Sequence, residues 1–229
     1  RQWVVANKLL FKENDRLDAL TISESERLLR QAEYVNDARI YVKPVKKTDS
    51  VDVYVVMIDK WAVTIPSAFT ESTAYVTFKN YNTFGTGQQF EQYAGWRRPD
   101  LINYRGFYNV ANIDNTYISS RLGYDSDREG TKVSLSFDRP FFSPLARWAG
   151  GSYVSYAQHF HPYRDTLDRL DKHVNLFNLG YDFWGGKSFK VNNNRSLFDQ
   201  SYNIIAGGRY FGNKYFNRGK IALNEAVAF

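Results

Sequence analysis

Thr131-Lys-Val-Ser-Leu-Ser-Phe-Asp-Arg139 is the stretch from which the rest of the chain can be read. Val133, Leu135 and Phe137 fall on one side of an extended backbone, and Lys132, Ser134, Ser136 and Asp138 fall on the other. Side chains of a strand alternate between two faces, so this is a strand with one apolar and one wet surface. The same unit recurs from about Ser72 to Phe229: a run of alternating, aromatic-rich residues, then a turn. Successive strands with no crossover helices predict an antiparallel meander.

Placing turns at clusters of Gly, Pro, Asn and Asp predicts roughly ten strands, over 62–68, 73–81, 88–97, 105–111, 116–125, 131–139, 147–160, 173–184, 199–211 and 219–229. In 88–97, Phe90, Ala94 and Trp96 oppose Gln89, Glu91 and Arg97. In 173–184, Phe177, Leu179, Tyr181 and Phe183 oppose Asn178, Gly180 and Asp182. In the last, Ile221, Leu223, Val227 and Phe229 share a face that Glu225 interrupts. Several runs reach the ~9–11 residues that a tilted strand needs to cross a hydrocarbon core. If the sheet stands in a membrane, Val133, Leu135, Phe137, Phe177, Leu179, Tyr181 and Phe183 would be its lipid-facing residues. Trp96, Trp148, Trp184, Tyr124, Tyr156 and Tyr181 are the candidates for interfacial girdles. A soluble β-rich ligand-binding protein, with the same aromatics in a dry core, is the alternative that periodicity leaves open.

Composition shifts near residue 66. Residues 1–66 hold 6 of the 39 aromatics, and the remainder hold 33, so the chain divides into residues 1–61 and 62–229. Basic residues exceed acidic ones by 11 to 10 in 1–66 and by 19 to 14 beyond, a net charge of +6. No basic stripe forms, which argues against nucleic acid as a partner. There is no cysteine, so disulfide and thiol chemistry are excluded. No run approaches the ~18–20 apolar residues of a transmembrane helix, a test to which barrels are blind. With no leader before Arg1, the chain reads as a mature product or an internal fragment.

The first sixty residues predict a small α/β unit. Trp3 to Phe11 is read as the end of a short apolar helix. A second helix is expected from Thr21 or Ser23, each followed three residues later by a glutamate, with Ile22, Leu28 and Leu29 buried. Two strands follow, 38–44 and 50–58, around a turn at Lys46–Asp49; Val51, Val53, Val55 and Met57 share a face.

This order resembles the later part of a POTRA module, in Ser25-Glu-Arg-Leu-Leu-Arg30, Tyr34-Val-Asn-Asp-Ala-Arg-Ile-Tyr-Val42 and Asp49-Ser-Val-Asp-Val-Tyr-Val-Val56, without the strand that opens a whole module. Two turns extend the resemblance. Asn80-Tyr-Asn82-Thr-Phe84-Gly85-Thr-Gly87 puts two glycines in a tight hairpin. Phe137-Asp-Arg139-Pro140-Phe141-Phe142-Ser-Pro144 ends a strand in proline and an aromatic pair. Both resemble periplasmic turns of the BamA/TamA superfamily, and the order of parts covers nearly the whole chain. Tyr104-Arg-Gly-Phe107 has the letters of that family's late lumenal loop but sits far too early, and is read as coincidence.

The resemblance implies a mainly β protein: an antiparallel transmembrane β-barrel, partial at about ten strands, behind a POTRA-like periplasmic module. It further implies the bacterial outer membrane, and a non-enzymatic role in assembling outer-membrane proteins or moving polypeptides, by β-strand templating at 38–44 or 62–68. The implied partners are unfolded outer-membrane or secreted polypeptides, outer-membrane lipid and accessory lipoproteins, with no cofactor. The barrel portion of a patatin-type lipase fusion is the enzymatic alternative, although this chain holds no Gly-x-Ser-x-Gly elbow. His159 and His161 share a face but lack a third ligand. Asp165, Asp168 and Asp171 lack the spacing of a calcium loop, so no metal site is expected. The wall should stop before closing, leaving an edge at Phe229 for further strands or another chain.

Overall fold

A computed structural model describes residues 2–98, 101–164, 171–190 and 203–217. The expected strand 219–229, residues 165–170 and the Asn192–Asn194 turn lie outside these.

Helix α1 (Gln2–Ala6) and α2 (Ala19–Arg30) precede a two-stranded hairpin, β1 (Val35–Pro44) and β2 (Val51–Asp59). Leu29, Ala32, Tyr34, Val35 and Ala38 form their core, with Val4, Val5, Leu9, Ile40, Val55 and Met57 packed around it. Helix α2 starts earlier than its sequence pattern suggested. Asp18 is the N-cap, its carboxylate accepting from the Thr21 backbone (2.9 Å) and hydroxyl (2.6 Å), which holds that carboxyl below its ordinary value. Thr21 therefore supports the cap rather than making it. Of the expected stripe, Leu28 and Leu29 are buried and Ile22 is half-buried. Ser25, fully buried, donates to the Thr21 carbonyl and accepts from Leu10 N–H, tying the loop to the helix.

The second sheet has ten strands: β3 (Val63–Thr64), β4 (Ser67–Phe69), β5 (Thr73–Thr83), β6 (Gln88–Arg97), β7 (Leu101–Val110), β8 (Ser119–Asp127), β9 (Gly130–Arg139), β10 (Trp148–Arg164), β11 (Asp171–Lys190) and β12 (Asn203–Asn217). From β5 onward each strand pairs antiparallel with the next, a pure meander, and β3 and β4 share the edge of β5. No pairing closes it into a barrel among the described residues. The strand expected at 62–68 is interrupted at Ile65–Pro66, and that expected from 116 begins at Ser119. Tyr104–Phe107 lies within β7, with Tyr104 and Arg105 on opposite faces.

Register aligns Phe90, Tyr108, Leu122, Leu135, Val154 and Tyr181 in one row across six strands. Tyr124, Val133, Tyr156 and Leu179 form a second row, and Phe137, Phe183 and Tyr210 belong to a third. All these residues share one face. The other face is polar: Lys79 pairs with Glu91 at 3.0 Å and Arg209 pairs with Asp182. Arg105, Arg121 and Lys132 lie over the rings of Tyr93, Phe107 and Tyr153.

Burial runs opposite to that of a soluble protein. Every buried residue in strands β5–β12, among those described, lies on the polar face: Thr77, Gly95, Gly130, Ala149, Ser155, Ala157, Gly180 and Ser188. Val133, Leu135 and Phe137 on the apolar face are 43, 44 and 41% exposed. Small residues are thus crowded on the polar side, while the large apolar ones stand exposed on the other. Near one end six glycines fall together: Gly150, Gly185 and Gly208 in one row, Gly186 and Gly207 in the next, and Gly151 beside them.

Candidate functional site: the junction of the sheet end with the helical unit

Three turns at one end of the sheet, 84–87, 111–118 and 140–147, meet the N-terminal unit. In the first, Asn82 Oδ1 accepts from Gly87 N–H (2.7 Å) and the Asn82 carbonyl accepts from Gly85 N–H (3.0 Å). Phe84 sits at the tip with φ +55°, 94% exposed. Gly85 and Gly87 both have φ near +70°, where a Cβ is strained. They differ in surroundings. A Cβ on Gly85 would meet open space; one on Gly87 would lie 3.0 Å from Tyr34 Cε1 and 3.1 Å from Val4 Cγ1. Gly87 is thus the point at which the first hairpin seats on the core of the helical unit. Burial there raises the Tyr34 phenol to about 12.

The second turn carries Tyr117 at φ +60°, a conformation that costs an aromatic residue roughly 1–3 kcal/mol. Its contacts offset that cost. Its N–H donates to Asn112 Oδ1 (2.8 Å), and its hydroxyl bonds the carbonyls of Leu9 (3.1 Å) and Lys8 (3.3 Å). Asn112 Nδ2 donates to the Asn7 carbonyl. Desolvation raises the Tyr117 phenol to about 12, against the opposing charge of Arg139.

The third turn locks onto the second. The Phe142 ring stacks on Tyr117 with centroids 3.9 Å apart, and Arg139 lies 4.8 Å from the Phe142 ring and 3.8 Å from that of Trp148. Arg139 also donates to the carbonyls of Thr116 (2.9 Å) and Trp148. The Phe142 carbonyl accepts from Arg27 on α2, whose guanidinium holds the Glu24 carboxyl below its ordinary value. Pro140 sends the neighbouring ring the other way: Phe141 lies over Gly186 on the polar face. Phe141 also lines an open depression of about 620 Å³ with Trp184, Asp182, Arg209 and the glycine patch.

The structure thus brings Asn82, Gly85, Gly87, Arg139, Pro140, Phe141 and Phe142 to one end of the sheet. Val133, Leu135, Phe137, Phe177, Leu179, Tyr181 and Phe183 share the apolar face. Trp184 is a correction to the expected girdle. It lies on the polar face, its indole nitrogen beside Asp138 across Gly151, because its position has the opposite parity to Phe183. Tyr117, Asn112 and Arg27 were given no role at a site in the sequence reading. The Asn112-Ile-Asp-Asn115 run marks a turn, but nothing in it names a partner more than a hundred residues away.

The described residues thus form an open antiparallel meander with an exposed apolar face and a crowded polar one. The fold is similar to that in the crystal structure of BamA from Haemophilus ducreyi lacking POTRA domains 1–3, with a TM-score of 0.53 at 13% identity. The match covers 94% of this chain and 48% of that one, so the chain spans about half of the structure it resembles. No family model and no curated protein matches the chain.

Gly87→Ala should cost more than Gly85→Ala. The latter adds only strain, about 1 kcal/mol; the former also presses on Tyr34 and Val4, and should speed amide exchange in residues 30–38. Hydrogen exchange by mass spectrometry of the two variants checks this.

Tyr117 gives a pH signature. Its folded value lies above the ordinary 10, so its contribution is intact below pH 10 and is lost as pH rises through about 12. Ultraviolet titration should show late phenolates from Tyr34 and Tyr117, and Tyr117→Phe should remove one of them while leaving that of Tyr34.

Proposed function

We propose that the chain belongs to an outer-membrane assembly or translocation protein of the BamA type: a POTRA-like periplasmic unit seated beneath a barrel wall. The observation that carries this reading is the inverted burial of the sheet, with leucine, valine and phenylalanine outward and serine, threonine and glycine crowded inward. Such a surface far exceeds the few hundred Å² of apolar patch that soluble monomers carry. Lipid is the solvent that suits it. Strands of 9–10 residues in β6–β9 match the length a tilted crossing needs.

The helix–hairpin unit supports the POTRA reading by its order and by its seat on the turn end, which would place that end in the periplasm. Its substrates would be unfolded outer-membrane or secreted polypeptides, engaged by backbone pairing at strand edges. Accessory lipoproteins would meet the periplasmic unit, and outer-membrane lipid the wall. Templating needs no nucleophile, base or cofactor.

The test is a charge scan of β9 in the chain purified into detergent and returned to bilayers. Leu135→Arg should cost roughly 2–4 kcal/mol at mid-bilayer, and Val133→Arg or Phe137→Arg less, according to which lies nearer the headgroups. Ser134→Arg and Ser136→Arg should cost little by comparison. A chain that stays monodisperse without detergent, with equal penalties at all five sites, would refute the reading.

A further inference from the structure

One end of the apolar face carries charges that the rest of it lacks. On β5 to β9 every charged residue but one lies in the register of the polar face; the exception is Arg139, the last residue of β9. On β10 to β12 the apolar register holds Lys187 at this same end, and Arg164, Asp171 and Lys214 toward the other. Trp148 stands between the two cations. Its ring lies 3.8 Å from the Arg139 guanidinium, and its partner across β10 and β11 is Lys187.

Both cations keep donors to spare. Arg139 spends Nε on the Thr116 carbonyl and Nη1 on that of Trp148, while its Nη2 bonds no described residue. Lys187 is exposed, with its ammonium 5.5 Å from the Phe189 ring. Asp138 and Asp182 belong to the polar face, and neither cation forms an ion pair among the described residues. The surroundings are apolar: Phe137, Trp148, Phe183 and Phe189 are 41, 49, 45 and 47% exposed. Charge in such a setting is costly unless an anion meets it.

We infer that Arg139, Trp148 and Lys187 form a headgroup site for an anionic phospholipid, its phosphate on the two cations and its acyl chains against the neighbouring aromatic side chains. This rests on the membrane placement of the apolar face proposed above, and adds to it a selection by headgroup charge. Two features choose the occupant. The site offers positive charge and free N–H donors with no acid on its own side, and a guanidinium fork suits phosphate oxygens. The rings around it suit hydrocarbon, which a free phosphate lacks. A lone basic residue would reach toward any headgroup; two of them flanking one indole distinguish an anionic one.

The test uses the chain in micelles of an uncharged detergent, titrated with dioleoyl phosphatidylglycerol, dioleoyl phosphatidylcholine or inorganic phosphate, with bound lipid counted by native mass spectrometry. Phosphatidylglycerol should be retained in preference to phosphatidylcholine. Lys187→Gln should cut that preference about fivefold, the worth of one cation beside an anionic lipid surface, and Lys187→Arg should keep it. Far-ultraviolet circular dichroism of both variants should match the parent, since Lys187 is exposed and has no ion pair to lose among the described residues.

Equal retention of the two lipids, or a preference that Lys187→Gln leaves unchanged, overturns the inference while the membrane placement stands. Displacement of phosphatidylglycerol by inorganic phosphate would assign the cations to a free anion and overturn it as well. A parent chain that retains neither lipid overturns it in any case, and takes the membrane reading with it if that chain is also monodisperse without detergent.

Discussion

Backbone N–H and C=O groups are the constraint on which this structure depends. A wall that presents leucine and phenylalanine outward has no apolar core of its own to hold the strands in place. The continuous ladder from β5 to β12 does that work, and it satisfies groups that would each cost several kcal/mol if left unpaired in hydrocarbon. Register then does what a core does elsewhere. A slip of one residue would exchange the two faces, turning Leu135 inward and Ser134 outward. The aligned row from Phe90 to Tyr181 is thus a consequence of pairing, and the burial pattern a consequence of the row.

The helical unit is organised on ordinary terms. Leu29 and Ala38 are almost fully buried, and one helix covers one face of a hairpin. The two regimes meet through backbone carbonyls and stacked rings, with few charges. Tyr117 spans both, its ring against Phe142 and its hydroxyl at Leu9. On the proposed placement, polar contacts of this kind would tolerate the change of solvent between a membrane surface and a water-facing domain. They also fix the angle between the parts more tightly than apolar contact would, since hydrogen bonds are directional.

Period-two alternation made the sheet legible in advance, because it is local and each strand repeats it; β6 and β9 fall within a residue of their expected ends. Parity was equally legible in principle at Trp184, where residue type suggested an interfacial aromatic while the count from Phe183 put it on the polar face. Asp18 was missed as a cap because two better-looking caps followed it. The junction was not legible. Arg27 meeting Phe142, and Tyr117 meeting Leu9, depend on how three turns converge, and each turn by itself is only a cluster of small and polar residues.

The glycine patch on β10, β11 and β12 has a mechanical consequence. Sheets resist bending chiefly through side chains that touch across neighbouring strands, and at Gly150, Gly185 and Gly208 there are none to touch. The wall is one backbone thick there, backed on the polar side by the Phe141 ring over Gly186. A load on the helical unit would on this geometry be taken up first along this line, before the better-braced strands β6 to β9. The ring that braces the seam belongs to the same turn that grips the helical unit, so tension on that unit is delivered at the place where the wall is softest.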